Sequence, residues 1–262
     1  MNTATVIGFL ISLLVQVSFP LVVVLLYRRR TGAPWLVYGY GAAVFALFQL
    51  FTWLPLSVYL DYSIGDHLDS AFLSFMWLMA QALAASLIEE SGRWLGFRML
   101  FRRRGHRLDW ENGVMYGLGH GSLETVLLMA GLTFVNLITY ILLCRLDTAA
   151  LSEVLGANAE AVQASIQGIV DTRWNQPITV AIERIPALFH QVAWSLLVMQ
   201  SLVSRQKRWF GWAVLYHTAV AVLIPGLARL GGFILAEGVN LLLAGLSLWL
   251  ILELRKVSET RP

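Results

Sequence analysis

The 262-residue sequence is 58% hydrophobic and only 13% charged, with a mean hydropathy of +0.67. Soluble domains carry about 25% charged residues, so this composition excludes a soluble globular enzyme and points to an integral membrane protein. The single cysteine, Cys144, excludes an internal disulfide and any Cys-rich metal site, which leaves histidine and carboxylate as ligands for any metal. The net charge of +3 comes from basic residues grouped in short loops. Membrane topology accounts for that grouping better than a nucleic acid partner does.

The first apolar span covers about residues 6–27 and is followed at once by Arg28, Arg29 and Arg30. A cleavable signal peptide carries its charge before the apolar run, so this reads as an uncleaved helix with its N-terminus outside. A second span, Trp35 to Leu60, is expected to bend at Pro55 and leads into the acidic loop Asp61–Asp69. The third, Ala71 to Phe97, contains the run AASLIEESGR and ends at the basic residues Arg98, Arg102, Arg103, Arg104 and Arg107.

The fourth span runs from about Glu111 to Leu143, with Gly113, Gly117 and Gly121 recurring every four residues. That small-xxx-small stripe lets a neighbouring backbone approach closely. From Arg145 to Gln176 the chain turns polar but keeps apolar residues at helical spacing, among them Leu151, Val154, Leu155 and Ile166. The pattern predicts an extracytoplasmic amphipathic helical insert. A fifth span, about Ile178 to Val203, contains Glu183, Arg184, Pro186 and His190. The sixth, Trp209 to about Leu227, holds His217, and the seventh runs from Gly231 to Leu254. Placing the basic loops in the cytoplasm satisfies every alternation. The expected fold is therefore an all-α polytopic transmembrane bundle of about seven spans, N-out and C-in. It forms a single integral membrane domain over 1–262 and suits a bacterial plasma membrane.

Ionisable residues inside these spans are the functional suspects. A charge near the bilayer centre costs roughly 2.5–3.5 kcal/mol on insertion scales, so Glu89, Glu90 and Arg93 require compensation. Counting back to the basic flanks at about 1.5 Å per residue puts Glu89, His120, His190 and His217 in one layer, roughly 13–22 Å deep, on four different helices. A site built between helices requires a shared depth, whereas scattered polar residues have no reason for one. Glu89 and Arg93 share a helix face, as do His120 and Glu124. Two or three imidazoles with a carboxylate are the ligand set of a catalytic zinc, which keeps a fourth position for water. No HExxH sequence is present. Taken singly, the Glu–Arg group also reads as a structural ion pair and His190 as a helix-to-helix hydrogen bond. His67 and His106 fall in loops and are expected to be solvated.

The run Glu89-Glu90-Ser-Gly-Arg93, the segment Gly-Leu-Gly-His120-Gly-Ser-Leu-Glu124, Glu183-Arg184 followed by His190, and then His217 together resemble the YhfC-type intramembrane metalloproteases. These are similar in turn to the PrsW proteases and the CAAX-protease and bacteriocin-processing group. The resemblance implies an intramembrane peptidase in which Glu89 or Glu90 is the base and Arg93 supports it. It implies that His120, preceded by the aromatic Tyr116, binds metal. In the wider group a further histidine has Asn or Asp four residues on; here His217 is followed by Ala221. His190 and Glu124 are candidates for the remaining ligand. The implied cofactor is zinc, and the implied partners are the lipid bilayer and a membrane-embedded or lipidated peptide substrate, with no nucleic acid. The competing readings are a proton- or cation-coupled carrier or a non-catalytic relative using the same Glu/His cluster, and bis-histidine haem ligation.

Overall fold

The computed structural model describes residues 1–101, 105–145 and 159–259. The basic run Arg102–Arg104 and the positions Leu151, Val154 and Leu155 lie outside them. Six apolar helices are long enough to cross a membrane, and no strand occurs among the described residues. They are α1 (Thr3–Thr31), α2 (Trp35–Ser63), α3 (Ala71–Met99), α4 (Trp110–Leu143), α6 (Asn175–Val203) and a last run, Arg208–Glu259. A shorter helix, α5 (Ala159–Val170), falls in the segment expected to be amphipathic, with Ile166 buried.

The last run resolves into the two predicted spans. Gly232 has φ of 79° and ψ of 174°, which breaks the helix into α7 (208–231) and α8 (233–259). Only glycine adopts that conformation without strain, so the break sits where the sequence permits it. Helix starts follow ordinary capping chemistry: Ser70 accepts from the Leu73 amide at 3.1 Å and Asp109 from the Asn112 amide at 3.0 Å. The expected bend at Pro55 takes the form of a π-helical stretch, Ala46–Trp53, just before it. A proline ring clashes with the carbonyl four residues back, and the wider turn relieves that clash. There the Thr52 hydroxyl donates to the Leu47 carbonyl at 2.7 Å.

The described chain packs as two compact units. One comprises Met1–Phe19 and Thr125–Arg184. Its core is Phe9, Leu137 and Tyr140. Gln16 ties α1 to α4 through Thr133 at 3.0 Å, and the Thr5 hydroxyl donates to the Thr172 carbonyl at 3.0 Å.

The other unit, Pro20–Glu124 with Ile185–Pro262, contains every residue of the candidate site. Its centre is the N-terminal half of α4, buried without interruption from Gly113 to Ser122. The glycine stripe explains how. A β-carbon on Gly117 would lie 2.7 Å from the Val192 Cα, and one on Gly113 or Gly121 would meet Leu196 or Gln191. The backbone of α4 is thus pressed against α6 as the spacing predicts. On another face, Gly119 packs against the Tyr38 backbone and Gly41 against the Tyr116 carbonyl, which draws in α2. His106 departs from its expected solvation: its ring packs edge-on against Tyr40 and Phe101, each 5.9 Å away, so the loop folds back onto aromatic surface.

Candidate functional site

Glu89, Glu90 and Arg93 occupy one turn of α3, and burial makes their pairing obligatory. Arg93 and Glu90 are fully inaccessible and Glu89 is 4% exposed. The guanidinium donates to Glu90 Oε1 through Nη1 and to Glu89 Oε2 through Nη2, the latter at 3.3 Å. Each carboxylate also meets an imidazole from another helix. His120 Nε2 of α4 lies 3.2 Å from Glu89 Oε2, and His217 Nδ1 of α7 lies 2.8 Å from Glu90 Oε1. Three helices therefore bring two carboxylate–imidazole pairs onto one arginine.

A fourth helix closes the group through a residue that the spacing arguments passed over. Gln191 of α6 accepts from Arg93 Nη2 and donates from its own amide nitrogen to Glu124 Oε2 at 2.6 Å. Glu124 is thus joined to the cluster through Gln191 and Arg93. Its signal in the sequence is that of a polar residue inside an apolar span, next to His190.

His190 faces a second polar cluster. Its Nδ1 lies 2.8 Å from the Ser247 hydroxyl and its Nε2 3.2 Å from Asn240 Oδ1, both on α8. The Tyr216 hydroxyl is 2.9 Å from Ser247 and donates to the Leu243 carbonyl at 2.6 Å. Trp194 lies beside both clusters. Its ring stacks on His217 at 3.9 Å and 11°, runs nearly parallel to His190 at 5.7 Å, and has the Arg93 guanidinium carbon 5.9 Å above it. Glu183 and Arg184, in the other unit, form an ion pair at 3.9 Å.

The profile of the YhfC intramembrane metalloprotease family matches residues 11–240. The chain belongs to the YhfC intramembrane metalloprotease family. It is 28% identical over 248 residues to the Bacillus subtilis (strain 168) protein described as uncharacterized membrane protein YhfC, covering 92% of each chain. No solved structure matches. A YhfC-family chain with six long apolar helices is an integral membrane protein.

The YhfC family description implies a metal, and the donor set fits one in chemistry and charge. Two carboxylates and two imidazoles converge in a buried site, and with both imidazoles neutral the two carboxylates outweigh the single guanidinium, a balance that a cation would offset. Glu90 Oε2 and His120 Nδ1 are buried with no hydrogen-bond partner. As placed, these side chains hold one another. Among the described residues no three of His, Cys, Asp and Glu form a metal-holding group, and Arg93 is paired with both carboxylates.

Proposed function

We propose that this chain hydrolyses peptide bonds of membrane-embedded or lipidated peptides inside the bilayer, with a zinc-type divalent ion held by its own imidazoles and carboxylates. The supporting observation is the pairing of Glu89 with His120 and of Glu90 with His217 around Arg93, all within apolar helices. His120 and His217, with one of the two carboxylates, would hold the ion. Such an ion supplies an acidified water and polarises the scissile carbonyl. The second carboxylate takes the proton of the attacking water and passes it to the leaving amine as the carbon–nitrogen bond breaks. Arg93 fixes both carboxylates in position, and its donors can shift toward negative charge developing on the carbonyl oxygen. Trp194 fixes the plane of His217 by stacking. Gln191 fixes Arg93 from behind and links it to Glu124. His190, with its own three polar neighbours, supports the packing of α6 against α8.

Metal content of detergent-purified protein tests this reading. After reconstitution with zinc, mass spectrometry should find near one ion per chain in the wild type and in His190→Ala, and none in His120→Ala/His217→Ala eluting as the same monodisperse species. Substitution of both Glu89 and Glu90 by Gln should abolish cleavage of a membrane-embedded reporter peptide. Wild-type protein without metal above background, or a His120/His217 variant that keeps its metal, would overturn the assignment.

A further inference from the structure

A cavity of about 570 Å³ opens beside α3 and the junction of α6 with α7; its lining includes Ser91, next in the chain to Glu90, but no residue of the carboxylate–imidazole pairs. Its apolar wall includes Trp94, Leu95, Leu202 and Phe210, and its charged residues are Arg205 and Lys207. No acidic side chain is among the described residues that line it. The volume falls within the range of about 300–1,000 Å³ typical of ligand sites. Both cations belong to the short linker after α6, at the basic helix ends that the charge bias assigns to the cytoplasmic leaflet. A third cation stands close by: the guanidinium of Arg98 lies 4.9 Å over the ring of Trp94.

The backbone adds an independent observation. Arg205 has φ of +57°, the one non-glycine residue with positive φ among those described. Helices commonly end on a left-handed residue, but that residue is usually glycine because a side chain there is strained. Strain retained at one arginine, where glycine would relieve it, is the kind of outlier that marks a functional position.

We propose that this groove binds one anionic phospholipid, with an acyl chain along Trp94, Leu95, Leu202 and Phe210 and the phosphate between Arg205 and Lys207. The occupant follows from the surroundings. The protein is a membrane protein, the wall is apolar, and the cationic end meets a leaflet that carries anionic headgroups. The proposal is independent of the hydrolase reading, because no residue of the two carboxylate–imidazole pairs forms part of the groove.

The test is native mass spectrometry of the full-length protein in mixed micelles of phosphatidylglycerol and phosphatidylcholine. The wild type should retain one phosphatidylglycerol several-fold in preference to phosphatidylcholine. Each cation near a membrane surface contributes ~1 kcal/mol, or about fivefold, so Arg205→Gln/Lys207→Gln should lower retention by about 25-fold. Both side chains are exposed, so this variant should fold as the wild type does. Arg255→Gln/Lys256→Gln, which removes two cations elsewhere, should leave retention unchanged. Leu202→Trp, which fills the groove and keeps the cations, should displace the lipid. Equal retention of the two lipids, a linker variant that still binds, or a Leu202→Trp variant that binds as well as wild type would each overturn the proposal.

Discussion

Replacement of Arg93 by Gln is the perturbation whose outcome the structure constrains most tightly. The guanidinium is fully buried and donates to three acceptors, Glu89, Glu90 and Gln191, on two helices. Removing it leaves two buried carboxylates with only their imidazoles as partners. Breaking a buried ion pair by deleting one member costs about 3–5 kcal/mol, because the charge left behind remains out of water. For a domain of this size class, about 2–4 °C of Tm accompany each kcal/mol, so the melting temperature should fall on the order of 10 °C. Intrinsic tryptophan fluorescence during heating in detergent measures this, with Trp194 near the perturbed site. The triple variant Glu89→Gln/Glu90→Gln/Arg93→Gln carries no buried charge at these positions and should recover much of the loss. If Arg93→Gln melts within a degree or two of wild type, the carboxylates are not held by Arg93 and the argument for a preorganised site fails.

Gln191→Leu removes hydrogen bonds to Arg93 and Glu124, each of a type that contributes about 1.5–3 kcal/mol, and should lower the melting point detectably, whereas Glu124→Gln, whose amide oxygen still accepts from Gln191, should melt close to wild type. Gly117→Val forces a β-carbon to within 2.7 Å of the Val192 Cα, a backbone atom that cannot rotate aside; overpacking of at least about 1–3 kcal/mol should appear as a lower melting temperature or poor folded yield. Gly232→Ala strains the α7–α8 break by about 1–3 kcal/mol while touching nothing nearby, so its effect on melting should be independent of that of Arg93→Gln.

Much of the architecture was legible because the bilayer leaves few choices. A segment of apolar residues must satisfy its own backbone hydrogen bonds, so span length and the flanking arginines determine where helices begin and end. The expected distortion at Pro55 and the glycine stripe of α4 are local chemistry, and each has a counterpart in the structure. The sequence predicts a bend at Pro55 but none of the π-helical stretches. Those at Phe97–Phe101 and Glu124–Met129 have no sequence signature of comparable strength.

The sequence by itself determined that the chain is a bundle of membrane-spanning helices with Glu89, Glu90 and Arg93 as its least affordable charges. A charge in hydrocarbon is costly wherever the helix is turned, so that conclusion needs no neighbours. Only the tertiary structure decided which histidine meets which carboxylate. His190 and Gln191 are consecutive, so they point to different sides of α6: Gln191 reaches Arg93, and His190 reaches Asn240 and Ser247. Depth along the bilayer can be counted from sequence, but rotation of each helix about its own axis is set by packing against its neighbours. Here the close seat of α4 on α6 fixes the rotation of those two helices, and with it the placing of His120 on Glu89 and of Gln191 on Arg93.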